Sequence, residues 1–163
     1  LLLIVAAGVL GNVIGSWILN PLVATTFEGT FFGGNLASLS ASDNNRYIVF
    51  LDELSPNSRV EFQTTSPSAT ASRLDYTIEL SASRNDLSQF VALFNGSTWE
   101  NVDASNSSIS DITRNVSILT NPQRFILAAN ALRSRLMTIP QTDIDAGDGW
   151  TSSTDFVQWE VTP

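Results

Sequence analysis

Polar and apolar positions are distributed unevenly along this chain. Residues 1–27 contain no Asp, Glu, Lys or Arg and open LLLIVAAGVLGNVIGSWILN, whereas from Glu28 onward charges recur and apolar residues come in short runs. As a helix, the uncharged stretch would reach roughly 40 Å at ~1.5 Å per residue. Leu1 to Leu19 would fill the roughly 20 apolar positions of a bilayer span. No Lys or Arg precedes Arg46, however, so the basic flank that orients a single span is missing. Gly8, Gly11 and Gly15 would lie close together on the helix surface, and the GxxxG spacing of Gly11 and Gly15 lets two backbones approach closely. A bilayer, a bundle of identical helices and the chain's own core are the three surroundings that could hold such a segment. The bundle is preferred, because a helix buried in a small β domain is usually nearer roughly 10 to 14 residues. Residues 1–26 are therefore expected to form an apolar assembly helix, with Leu3, Ile4, Gly8, Gly11, Ile14, Gly15, Ile18 and Pro21 as its packing and boundary positions. The segment is read as retained in the working protein rather than cleaved as a signal peptide.

Residues 27–163 read as a single all-β head. Arg73-Leu-Asp-Tyr-Thr-Ile-Glu-Leu-Ser81 alternates strictly, with Leu74, Tyr76, Ile78 and Leu80 on one face, the mark of a half-buried strand. Comparable runs are residues 47–51, 59–63, 89–94, 109–119, 124–129, 132–139 and 156–161. They end at turn chemistry such as Ser55-Pro56-Asn57, Ser66-Pro67-Ser68, Asn95-Gly96-Ser97, Asn121-Pro122 and Gly147-Asp148-Gly149. The spacing predicts an antiparallel β-sandwich or jelly roll of about eight or nine strands.

An apolar N-terminal helix with small residues inside it, Pro21 near its end and a β-rich head behind it resembles the layout of pilin-like filament subunits, in which the helices form the filament core. The resemblance implies an extracellular, pilus-like homopolymer whose partners are identical subunits, with transient residence in a membrane before assembly. It lacks the acidic residue near position five that bacterial members commonly carry. The head, through Ser72-Arg-Leu-Asp-Tyr-Thr-Ile-Glu79, Leu87-Ser-Gln-Phe-Val-Ala-Leu-Phe-Asn95, Trp99-Glu-Asn-Val-Asp103 and Asp155-Phe-Val-Gln-Trp-Glu-Val161, is similar to secreted bacterial β-sandwich domains of uncharacterised function. That likeness implies a cell-surface setting and carries no catalytic residue.

Composition narrows the chemistry. The chain has no Cys, His or Lys, and all eight of its basic residues are Arg. Ser-His-Asp and Cys-His nucleophilic sites, Schiff-base lysines, His or Cys metal ligation, disulfides and lysine isopeptide links are thereby excluded. A net charge of −8 argues against nucleic acid, which needs a basic face. Paired carboxylates alone could serve a glycosidase, but no pair stands out, and the chain is not expected to be an enzyme.

Three constellations carry candidate chemistry. Asp143, Asp145 and Asp148 share a glycine-containing loop, Thr142-Asp-Ile-Asp-Ala-Gly-Asp-Gly149, of the oxygen-rich kind that can coordinate calcium; an acidic solvated turn is the alternative, and no other cofactor is expected. Asn95, Asn106 and Asn115 open N-glycosylation sequons, in a number that chance alone would give. Trp150, beside the acidic loop, is the residue expected to stack on a glycan if the head is an adhesin, while Trp99 and Trp159 are read as packing residues. The primary expectation is a structural filament subunit. The alternative is a membrane-anchored surface sandwich that binds glycans or another surface partner.

Overall fold

In the computed structural model, which describes residues 15–52, 56–142 and 148–163, eleven antiparallel strands form two packed sheets. They are β1 (Trp17–Leu19), β2 (Val23–Glu28), β3 (Thr30–Gly33), β4 (Tyr47–Leu51), β5 (Ser58–Thr65), β6 (Arg73–Ala82), β7 (Leu87–Phe94), β8 (Trp99–Asn106), β9 (Ile112–Ile118), β10 (Ala131–Pro140) and β11 (Trp150–Thr162). One sheet runs β3-β4-β11-β6-β9, with β1 also paired to β11; the other runs β2-β5-β10-β7-β8. The mainly-β sandwich expected from the sequence is thus present, with more strands than the spacing suggested.

Of the N-terminal helix expected over residues 1–26, the described part, residues 15–26, holds strands and no helix. Trp17–Leu19 pairs with Trp159–Val161 of β11, and Val23–Glu28 pairs with β5 in the opposite sheet. Those backbone groups bond across strands, so they are not available to the i to i−4 ladder of a helix. Sequence pattern accounts for the outcome: Val23-Ala-Thr-Thr-Phe-Glu28 alternates exposed and half-buried positions and carries the β-branched Thr25 and Thr26. Of the proposed assembly positions, Gly15 is exposed, Ile18 lies opposite Glu160 on β1, and Pro21 is buried between β1 and β2; Leu3, Ile4, Gly8, Gly11 and Ile14 fall outside the described residues. The pilin-like layout, and the homopolymer built on it, is withdrawn on this ground. Among the described residues, no helix is long and apolar enough to cross a membrane.

The core lies between the sheets. Tyr76, Ile78 and Leu80 of β6 and Val157, Trp159 and Val161 of β11 face Val60 and Phe62 of β5, Val91 and Leu93 of β7, and Leu132 and Leu136 of β10. Tyr76 and Trp159 meet edge to face, 5.2 Å between ring centroids, an arrangement that aromatic quadrupoles favour. Small hydroxyls bridge the two sheets inside this core. Ser134 Oγ meets Tyr76 Oη at 2.9 Å and Thr138 Oγ1 meets Ser152 Oγ at 3.0 Å, so these four buried hydroxyls partner one another. Burial pushes the Tyr76 phenol well above its ordinary range, partly offset by the bond to Ser134. Residues 124–129, expected as a strand, instead hold parts of two short 3-10 turns, Pro122–Phe125 and Ala128–Asn130, which plug one end of the core with Phe125. Gly34 adopts φ +92° where an added Cβ would lie 2.2 Å from the Arg46 carbonyl oxygen, so only glycine fits that turn.

Candidate binding face

The outer surface of the five-stranded sheet is assembled by register. Residues directly opposite one another on antiparallel strands project to the same side. Successive cross-strand partners therefore form rows across β2, β5, β10, β7 and β8. One row is Thr25, Glu61, Arg135, Ala92 and Asn101. A neighbouring row carries Val23, Gln63 and Arg133 on the first three strands, with Phe94 and Trp99 completing the same edge. A third runs Glu28, Arg59, Met137, Phe90 and Ala104.

This face differs from an ordinary solvated sheet in how its side chains are held. Glu61 points outward and is nonetheless only 8% exposed. Its Oε2 accepts from Arg133 Nη2 at 2.6 Å, and its Oε1 accepts from Arg135 Nε at 3.1 Å and Nη2 at 2.7 Å. Both guanidinium groups also lie over aromatic rings. Arg135 sits 3.9 Å from the Trp99 ring centroid, and Arg133 sits 5.0 Å from Phe94 and 5.3 Å from Trp99. Phe94 and Trp99 in turn pack 5.1 Å apart with tilted planes. Arg59 pairs with Glu28 at 3.1 Å and lies over Phe27. Three of the chain's eight arginines thus stand on one face, each fixed by a carboxylate and a ring. Behind the β7–β8 turn, Glu100 is bound by Arg124 through Nε and Nη2; that contact first, and the Asn95 amide second, hold its carboxyl below the usual glutamate range.

Glu61→Gln is expected to lower stability by about 1–3 kcal/mol, because it leaves two partly buried guanidinium groups without their anion. A thermal melt checks this. An unchanged melting temperature would show the ion pairs to be screened like ordinary surface pairs.

The sequence candidates are scattered by comparison. Trp150, expected in an exposed loop, is 1% exposed and belongs to the core, where its pairing with Leu51 of β4 directs the indole inward. A buried ring offers no face to a sugar, so that assignment is corrected. Trp159 packs in the core as expected, whereas Trp99 stands on the outer sheet face, partly exposed. Asp143 and Asp145 lie outside the described residues; Asp148 is exposed, 3.6 Å from Arg84. Asn95 caps the β7–β8 turn, its Oδ1 accepting from the Ser97 and Thr98 backbone and its Nδ2 donating to Glu100. Asn106 and Asn115 are exposed, Asn106 bonded to Gln141 and Asn115 to Thr77. The signal for the outer face was present in Leu132-Arg-Ser-Arg-Leu136, whose outward positions are both arginine, but nothing local in the sequence says which aromatics lie beside them.

No protein family's sequence profile matches the chain, and no curated protein matches it. Among solved structures the chain is similar to TmCBM61 in complex with β-1,4-galactotriose, at 7% identity over 88% of this chain and 86% of that one, with a TM-score of 0.46. It is similar to a family 29 carbohydrate-binding module from Piromyces equi at 9% identity over 85% and 91%, TM-score 0.46. It is also similar to the structure of infectious bursal disease virus Gx strain, at 10% identity over 90% of this chain and 31% of that one, TM-score 0.49. Similarity at this level assigns neither family nor ligand.

Proposed function

We propose that the chain is an extracellular glycan-binding β-sandwich whose binding face is the outer surface of β5, β10, β7 and β8. The carrying observation is the Trp99, Phe94, Arg133, Arg135 and Glu61 cluster, in which aromatic and polar groups are held ready on rigid strands. A pyranose ring presents an apolar face of C–H groups and a rim of hydroxyls. Partly exposed indole and phenyl surface suits the first, and fixed guanidinium, carboxylate and amide groups suit the second. Gln63 and Asn101, both exposed, stand in the adjoining rows with free amide groups for further hydroxyls. Because Glu61 already orders both arginines, binding would immobilise fewer side chains, which reduces its entropic cost.

The dimensions favour a chain of sugars. Strands about 4.8 Å apart set Trp99 and Gln63 roughly 14 Å from one another across four strands, wider than one pyranose ring. Screening the purified chain on an immobilised glycan array tests the proposal. Binding to a subset of oligosaccharides, competed by soluble oligosaccharide far better than by its monosaccharide, is the expected result. No binding to any glycan class would remove it.

A further inference from the structure

On the other sheet, three carboxylates converge. Glu79 of β6, Asp111 just before β9 and Asp155 of β11 each place one oxygen within 4.8 Å of the other two. Asp155 is there because β11 bulges: its register against β6 shifts between Thr154 and Phe156, leaving Asp155 as the extra residue, and bulges re-aim side chains in this way. The residue is 2% exposed. Its Oδ2 accepts from the Asn44 backbone N–H at 3.0 Å, but its Oδ1 has no partner, and neither does Asp111 Oδ1. Among the described residues only Asp111 of the three is ion-paired, to Arg46 at 2.5 Å. Three carboxylates therefore face one positive charge, with one of them almost wholly removed from water, an arrangement that is costly unless a cation is bound or a proton is shared among them.

We infer that Glu79, Asp111 and Asp155 form a calcium site that clamps the β11 bulge to β6 and to the loop before β9. The donors are all oxygen, which selects a hard cation. Calcium binds oxygens at roughly 2.3–2.6 Å, so ligands on opposite sides lie up to about 5 Å apart, while magnesium at roughly 2.1 Å draws them closer. The Oδ1 atoms of Asp155 and Asp111 have no hydrogen-bond partner and are free to take a cation, and Arg46 holds Asp111 through its Oδ2. The site lies on the sheet opposite the proposed glycan face, and the inference does not depend on that proposal.

The test is thermal melting of the full chain, stripped with chelator and dialysed, with and without 5 mM calcium chloride. For a site of the affinity common in extracellular modules, the melting temperature should rise by about 3 °C or more. Magnesium should give less than half of that shift. Both Asp155→Asn and the milder, partly exposed Glu79→Gln should lose the calcium response, and terbium luminescence on the wild type should be displaced by calcium. Absence of any calcium shift in wild type, or an undiminished shift in Glu79→Gln together with undiminished terbium binding, would overturn the assignment. In the second case calcium would be held elsewhere on the chain.

Discussion

Trp99→Ala will bind glycan about thirtyfold or more weakly than the unaltered chain while folding to the same sandwich. The magnitude is that of a central aromatic hot spot, where truncation costs about 2 kcal/mol or more and every 1.4 kcal/mol is tenfold in affinity. Trp99 holds that position because it anchors the face from both directions: it packs against Phe94 and lies beneath Arg135, which is itself tied to Glu61. The fold should survive, since Trp99 is partly exposed at the start of β8 and the core cluster does not include it. Isothermal titration with an oligosaccharide selected on the array, beside a melt of the same sample, separates the two effects. Equal affinity in Trp99→Ala would place the binding surface elsewhere.

The second large effect has the opposite signature. Trp150→Ala should cost about 3–5 kcal/mol of stability, as expected for removing a large buried ring. At roughly 2–4 °C per kcal/mol for a chain of this size, the melting temperature should fall by about 10 °C. Affinity per folded molecule should stay unchanged, because the indole is in the core under β4 and β11 rather than on either outer face. Gly149 before it lies under the Phe50 ring, and an added Cβ would stand 2.6 Å from the far edge of that ring, so a larger residue there would push Phe50 aside. A melt unchanged by Trp150→Ala would contradict this placement.

The different roles of these two tryptophans show what could and could not be read in the sequence. The strict alternation of residues 73–81 gave β6 directly, because a strand buried on one face repeats with period two. The start of β11 was missed. Its Ser152-Ser-Thr-Asp155 stretch looks like loop, yet all four residues are buried, with Ser152 bonded across to Thr138 and Asp155 turned aside by the bulge. Polar composition conceals burial when small hydroxyls find partners. β8 escaped notice because it is a sheet edge, so Trp99-Glu-Asn-Val-Asp-Ala-Ser-Asn106 need not alternate.

At the N-terminus the error ran the other way. A run without charge reads as helix by length and hydropathy alone, whereas in its described part tertiary pairing with β5 and β11 makes Trp17–Leu19 and Val23–Glu28 strands. The candidate face itself was the least legible part. Glu61, Arg133, Arg135 and Trp99 come from three strands far apart in the chain, and only the order β5-β10-β7-β8 brings them together.

The most direct measurement is an NMR titration of the isotopically labelled chain with the oligosaccharide that it binds best. The account predicts shifts concentrated in the Trp99 indole N–H, the Arg133 and Arg135 side chains and the backbone of β10, β7 and β8, with the outer face of β6 and β11 silent. Saturable shifts confined to that opposite sheet or to the loops, with the Trp99 indole unmoved, would contradict it.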